Sequence, residues 1–165
     1  MAYQLLTNVR IRHDFKPGDV EYLTSLHGTL YSRDHGWDKS FETYVAGPLT
    51  EFAASRTERD NIWLVERDST LVGSIAIVRS SIDVAQLRWF LLHPDLRGRG
   101  IGRYLIEEAI QFCREQGYRS IFLWTEASLL AAARVYTAVG FRLTEEKKHE
   151  LWGMVVTEQR YDLSL

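Results

Sequence analysis

His93 to Ala109 reads HPDLRGRGIGRYLIEEA, and this stretch decides how the chain folds. Gly98, Gly100 and Gly102 stand on alternate positions among Arg97, Arg99 and Arg103. Glycine at the start of a helix sacrifices order unless a bare backbone is needed there. A strand pattern, VAQLRWFLLHP over Val84–Pro94, ends just before the loop, and a helical pattern runs from about Gly102 to Gln116. The N–H groups at a helix N-terminus lack intrahelical partners and point outward, and the macrodipole adds partial positive charge. Glycines let an anion approach those groups, and arginines add charge-assisted hydrogen bonds. The loop therefore reads as a phosphate site, with a ligand-free glycine turn as the competing reading.

Spacing narrows the phosphate. A P-loop requires Gly-Lys-Ser/Thr, whereas Arg103-Tyr104 follows Gly102. A dinucleotide fingerprint requires G-x-G-x-x-G, whereas these glycines run G-x-G-x-G.

On the N-terminal side, NVRIRHDF (Asn8–Phe15) alternates as a strand. Pro17-Gly18 is a turn with Asp19 as helix N-cap, and the helix runs to Ser32 and breaks near Gly36. A second helix covers Lys39 to about Arg56, and Gly47-Pro48 is expected to interrupt or kink it. Asn61–Asp68 and Thr70–Ser80 are strands joined by a tight turn. On the C-terminal side, Leu105, Ala109, Phe112 and Cys113 recur at helical spacing, with Gly117 closing that helix. Ser120–Glu126 is a strand, Ser128–Val139 a short helix, and two further strands close the chain as an antiparallel pair. The order β-α-α-β-β-β-α-β-α-β-β alternates too little for a doubly wound fold. It predicts an α/β class with a mixed, mostly antiparallel central sheet of seven strands and four helices.

The 165 residues are expected to form a single domain, residues 1–165, since no repeat or linker divides them. The chain is 45% hydrophobic, so a core is available, and its net charge of −2 gives no general attraction to nucleic acid or anionic membrane. Cys113 is the sole cysteine, which precludes an internal disulfide and fits a reducing, cytoplasmic setting. The start, MAYQLLTNVRIRHDF, lacks a leader's apolar core, and no run is long enough to cross a membrane. His27 and His35 lie eight residues apart with no cysteine beside them, so no metal is assigned.

RGRGIG resembles the Arg/Gln-x-x-Gly-x-Gly/Ala signature of the GCN5-related N-acetyltransferases, the GNAT superfamily. Downstream, Tyr136-Thr137-Ala138-Val139-Gly140-Phe141 resembles that family's Tyr-x-x-x-Gly-Phe motif, and the likeness spans Leu87 to Phe141. The chain is also similar to acetyltransferase modules joined to MarR-type DNA-binding domains, of which it would be a free-standing version. The resemblance implies an acyl-CoA N-acyltransferase fold and acetyl-CoA as co-substrate. Arg97, Gly98, Arg99, Gly100, Ile101, Gly102 and Arg103 would hold the pyrophosphate. The backbone of Phe90, Leu91 and Leu92 would bond the pantetheine arm between splayed strands. The implied activity is acetyl transfer to a primary amine by direct attack in a ternary complex, the acceptor being a small molecule or peptide. A non-catalytic acyl-CoA sensor and an enzyme with a longer acyl donor are the alternatives. A homodimer through the C-terminal strands follows family habit.

For the chemistry, Tyr136 is the candidate acid for the departing thiolate, against a packing role, and a backbone N–H near Leu92 is the natural oxyanion donor. Many family members carry a glutamate on the strand before the loop, whereas Val84–Phe90 holds no carboxylate. Glu126, ending the next strand, is the nearest acidic candidate for base, through water or by attracting a cationic amine; a carboxylate at a helix start is the alternative. Leu129 stands where the family often has a coenzyme-contacting asparagine, removing a contact of roughly 1 kcal/mol. His93 reads as a loop residue. His27, Tyr31, His35, Trp37, Phe41 and Tyr44 form either an acceptor wall or helix faces packed on the sheet. Arg88 and Trp89 are expected on opposite faces of their strand, one of them toward the acceptor.

Overall fold

A computed structural model describes residues 8–165. Residues 1–7, part of the stretch read above for a leader, lie outside the described residues. The elements are β1 (Val9–Arg12), α1 (Asp19–His35), α2 (Ser40–Ser55), β2 (Asn61–Arg67), β3 (Thr70–Arg79), β4 (Val84–Leu92), α3 (Ile101–Glu115), β5 (Ser120–Glu126), α4 (Leu130–Ala138), β6 (Arg142–Leu151) and β7 (Met154–Ser164). A one-turn 3-10 helix, Pro94–Leu96, precedes the glycine loop and has no expected counterpart in the sequence pattern.

The sheet has seven strands in the order β1-β2-β3-β4-β5-β7-β6. Its one parallel pair is β4 with β5, and the other pairs are antiparallel, as the element order predicts. One face buries Ile75, Ile77 and Leu87 under α3, whose Leu105, Ala109 and Cys113 point inward at helical spacing. The other buries Ile62, Leu64 and Ala76 under α1 and α2, through Leu23, Leu30, Phe41, Val45, Leu49 and Phe52.

Three expectations need correction. Asp19 is the first residue of α1, not its cap, because Gly18 holds the cap position at φ 88°. The Asp19 carboxylate instead accepts from Lys16 N–H at 2.6 Å and pairs with Arg12 of β1. α2 runs through Pro48 as one helix. Phe41, Val45, Leu49 and Phe52 keep one buried face across the proline, and that burial outweighs one lost backbone bond. The third concerns β4. Between the pairs Ser74↔Leu91 and Ala76↔Arg88, β4 has one residue more than β3. This bulge, with Trp89 at φ 48°, breaks the alternation. Arg88 sits opposite Ala76, a residue of the α1/α2-side core, and Trp89 belongs to that same core. The two side chains therefore share a face, with the Arg88 guanidinium 4.7 Å from the Trp89 ring centre. Buried Ser74 secures the bulge by donating its hydroxyl to the Trp89 carbonyl at 2.6 Å.

Candidate functional site

β4 and β5 pair only at Val84↔Ser120, Ala85↔Ile121 and Gln86↔Phe122. Beyond Gln86 the strands part, and a cleft of about 140 Å³ opens between them. After the bulge, Phe90 and Leu92 turn to the α3 side and Trp89 and Leu91 to the α1/α2 side. The β4 main chain from Leu87 to Leu92 has no ladder partner on β5.

The glycine loop lies at the open end of this gap. Gly98 and Gly100 have φ of 75° and 82°, a region that L side chains rarely adopt, and Gly100 caps the start of α3. A Cβ on Gly98 would meet nothing within 4 Å, so its surroundings are open. Gly102 differs: a Cβ there would come within 3.3 Å of the Phe90 ring, so this glycine also allows α3 to approach β4 closely. The arginines are not equivalent. Arg97 donates to the Leu92 carbonyl at 3.1 Å and faces Asp34 of α1 at 3.5 Å. Arg103 pairs with Glu107 one turn along α3 at 2.8 Å. Arg99 makes no ion pair or hydrogen bond among the described residues. His93 serves the loop: its Nδ1 accepts from Asp95 N–H at 3.2 Å.

Tyr136, Glu126 and Leu129 all line the cleft. The Tyr136 ring is buried 6.0 Å from Phe90, 5.9 Å from Phe141 and 6.0 Å from Tyr161, centre to centre. Its hydroxyl has no hydrogen-bond partner among the described residues. Burial disfavours the phenolate and pushes the group well above the ordinary tyrosine range, so the proton stays on. Glu126 accepts from Ser128 N–H and Ser128 Oγ, each at 2.5 Å, so it organises the turn into α4 while still reaching the cleft.

The opposite wall is aromatic. Tyr31 and Trp37 stack at 4.9 Å with 3° between planes, and Trp37 meets Trp152 of the β6–β7 turn at 4.4 Å. The His27–Tyr44 segment packs on the sheet and lines the cleft together, since Phe41 is buried in the core and also faces the cleft. Burial pushes the Tyr31 phenol up to about 12 against the pull of Arg97. His27 is buried, its Nδ1 lies 2.8 Å from the Leu23 carbonyl, and its Nε2 has no partner. One cleft residue, Glu158, carried no signal in the sequence. Glu158 stands directly across the β5/β7 ladder from Glu126 and pairs with His149. Arg88 reaches the cleft by ordinary alternation with Ala85 and Leu87, which face α3, and the bulge brings Trp89 to the same side. A terminal-strand glutamate carries no local motif, and an alternating strand pattern has no mark for an inserted residue.

Among the described residues no group of three or more His, Cys, Asp or Glu could hold a metal ion, and no helix is long and apolar enough to cross a membrane.

A strand pair that splays beside a glycine-rich helix start, with a buried tyrosine in the gap, is the arrangement that the GNAT resemblance leads one to expect. The Acetyltransferase (GNAT) family pattern matches residues 24–141, and the chain belongs to that family. It is similar to an uncharacterized N-acetyltransferase of Schizosaccharomyces pombe, 30% identical over 125 residues that cover 72% of this chain and 74% of that protein. An uncharacterized N-acetyltransferase of Methanocaldococcus jannaschii is 31% identical over 154 residues, 89% of this chain and 65% of that protein. Human N-acetyltransferase 8B is 29% identical over 99 residues, and the match spans 44% of its length. Among solved structures, an acetyltransferase from Streptococcus agalactiae superposes with a TM-score of 0.79 at 20% identity, covering 97% of this chain and 100% of that one. The putative acetyltransferase yncA of Salmonella typhimurium, solved with acetyl-CoA, gives 0.75 at 17% identity, covering 96% and 95% of the two chains. This protein is thus an N-acetyltransferase of the GNAT type, and acetyl-CoA is the donor to test its residues against. Its own residues fit that donor: an unpaired strand edge, an open glycine loop and a helix N-terminus lie in a row.

Proposed function

We propose that this chain transfers an acetyl group to the primary amine of a small molecule or peptide by direct attack in a ternary complex. The observation that carries the reading is the gap between β4 and β5 with protonated Tyr136 in its wall. Acetyl-CoA supplies the acetyl group activated as a thioester. The N–H groups at the start of α3, from Gly98 to Arg103, hold the pyrophosphate, and Arg99 is the arginine free to add a charge-assisted bond. The unpaired β4 backbone at Phe90, Leu91 and Leu92 receives the pantetheine arm as an added strand. Tyr136 holds a proton at Oη for the departing sulfur. Glu126 takes the proton lost by the attacking amine, through water. Burial pushes the Cys113 thiol up to about 12, which supports direct attack over a covalent acetyl-cysteine route.

The likeness to modules joined to MarR-type DNA-binding domains belongs to this reading and rests on the loop and tyrosine motifs. So do a cytoplasmic setting, a single domain over residues 1–165, and a homodimer through β6, the edge strand of the sheet. The test is calorimetric titration with acetyl-CoA, followed by thiol release over an amine panel. Micromolar binding with turnover is expected. Binding without turnover for every amine gives the sensor reading, and absence of binding refutes the loop assignment.

A further inference from the structure

Arg88 is a half-buried cation without an anion. Its guanidinium makes no ion pair or hydrogen bond with any described residue; its neighbours are the Trp89 ring and the phenol of Tyr44. The other inward arginines are satisfied: Arg12 pairs with Asp19 and Glu66, and Arg160 with Asp162. Burial strips water from Arg88 and works against its charge. A guanidinium carries five donors in a planar fork that matches a carboxylate. Arg88 lies on the α1/α2 side where β4 has left β5, and the bulge, with Trp89 at φ 48°, turns the Trp89 ring to that same side beside it.

The same cleft holds acceptors. With the Nδ1 proton donated to the Leu23 carbonyl, His27 presents Nε2 as a buried lone pair with no partner. Glu126 and Glu158 stand opposite one another across the ladder and both line the cleft. One cationic fork, separate acceptors and an aromatic wall match a ligand with an anionic end, an amine end and an apolar body. Polyamines and internal peptide amines have no group to set against Arg88.

We propose that the acetyl acceptor is an amino acid with a free carboxylate and an apolar or aromatic side chain, its carboxylate held by Arg88. The proposal rests on the acetyltransferase reading above. The body lies against Trp37 and Phe41, and the amine is directed toward the acidic side of the cleft.

The experiment compares L-phenylalanine with L-phenylalaninamide and 2-phenylethylamine, and L-leucine with L-leucinamide, in wild type, Arg88→Gln and Arg88→Lys. Thiol release at saturating acetyl-CoA gives kcat and KM, and tryptophan fluorescence with coenzyme A present gives binding without turnover. In the wild type the carboxylates should be favoured over the amides by roughly 10- to 100-fold in kcat/KM, mostly through KM. Arg88→Gln should bring each carboxylate and its amide within about threefold, and Arg88→Lys should restore part of the preference. Equal use of amides in the wild type, equal losses for both members of a pair in Arg88→Gln, or no amino acid bound would overturn the proposal. Failure of thiol release with every amine strikes the acetyltransferase reading; Arg88-dependent fluorescence binding of the carboxylates would then still establish the anion site, and its absence would remove it.

Discussion

Replacing Tyr136 with phenylalanine deletes one oxygen and leaves the ring in place. Three aromatic neighbours hold that ring at 5.9 to 6.0 Å, so its packing does not depend on the hydroxyl. The hydroxyl bonds no described residue, so no buried partner is orphaned by the change. Unfolding free energy should stay within about 1 kcal/mol of the wild type. Affinity for acetyl-CoA, which rests on the glycine loop and the β4 backbone, should change less than about twofold. The rate should not survive. Loss of a positioned proton donor lowers kcat by about 10²- to 10⁴-fold, or about 3–5 kcal/mol of barrier. Because burial raises the phenol's pKa, the proton remains through neutral and mildly alkaline pH, and the wild-type rate should show no alkaline decline from this group. Thiol release at saturating substrates gives kcat, calorimetry gives the acetyl-CoA Kd, and a urea melt gives stability. A kcat within about threefold of wild type, with the other two unchanged, would refute the acid role and return Tyr136 to the core.

Three other outcomes are expected. Gly100→Val places a β-branched residue at φ 82°, a strain of about 1–2 kcal/mol or more, and should weaken acetyl-CoA at least about tenfold by calorimetry; unchanged affinity would remove the loop from the site. Glu126→Gln keeps an acceptor for Ser128 N–H but cannot take a proton, so kcat should fall about 10²-fold with acetyl-CoA affinity unchanged by calorimetry; an unaltered kcat leaves the base elsewhere. Burial pushes His27 down to about 4 from its ordinary 6.5, so below pH 6.5 the unfolded chain takes a proton that the folded chain refuses. Its contribution is complete above that pH and falls by about 2 kcal/mol by pH 5, and urea melts of His27→Gln should lack this part of the decline.

Much of the fold could be read locally. The glycine loop, the helix behind it and the strand before it follow from spacing, and β5 matches its expected span of Ser120–Glu126. Local rules failed where burial outweighed propensity. Pro48 signals a break, yet the apolar face it interrupts is worth more in contact with the sheet than the bond it removes. Asp19 has the chemistry of a cap, yet Arg12 from a strand seven residues earlier claims its carboxylate.

The site divides along the same line. By itself the sequence determined the glycine loop and Tyr136 side of the cleft, because a backbone that turns through positive φ at a helix start is written as glycine, and the Tyr136-to-Phe141 motif marks the end of α4. Only the tertiary structure decided the opposite wall of the cleft. The extra residue in β4 turns Trp89 to the α1/α2 side beside Arg88, the ladder sets Glu158 across from Glu126, and helix packing buries His27 in the same cleft. His27, Arg88 and Glu158 are far apart in sequence, and a bulge is settled by pairing between strands rather than by the composition of either one.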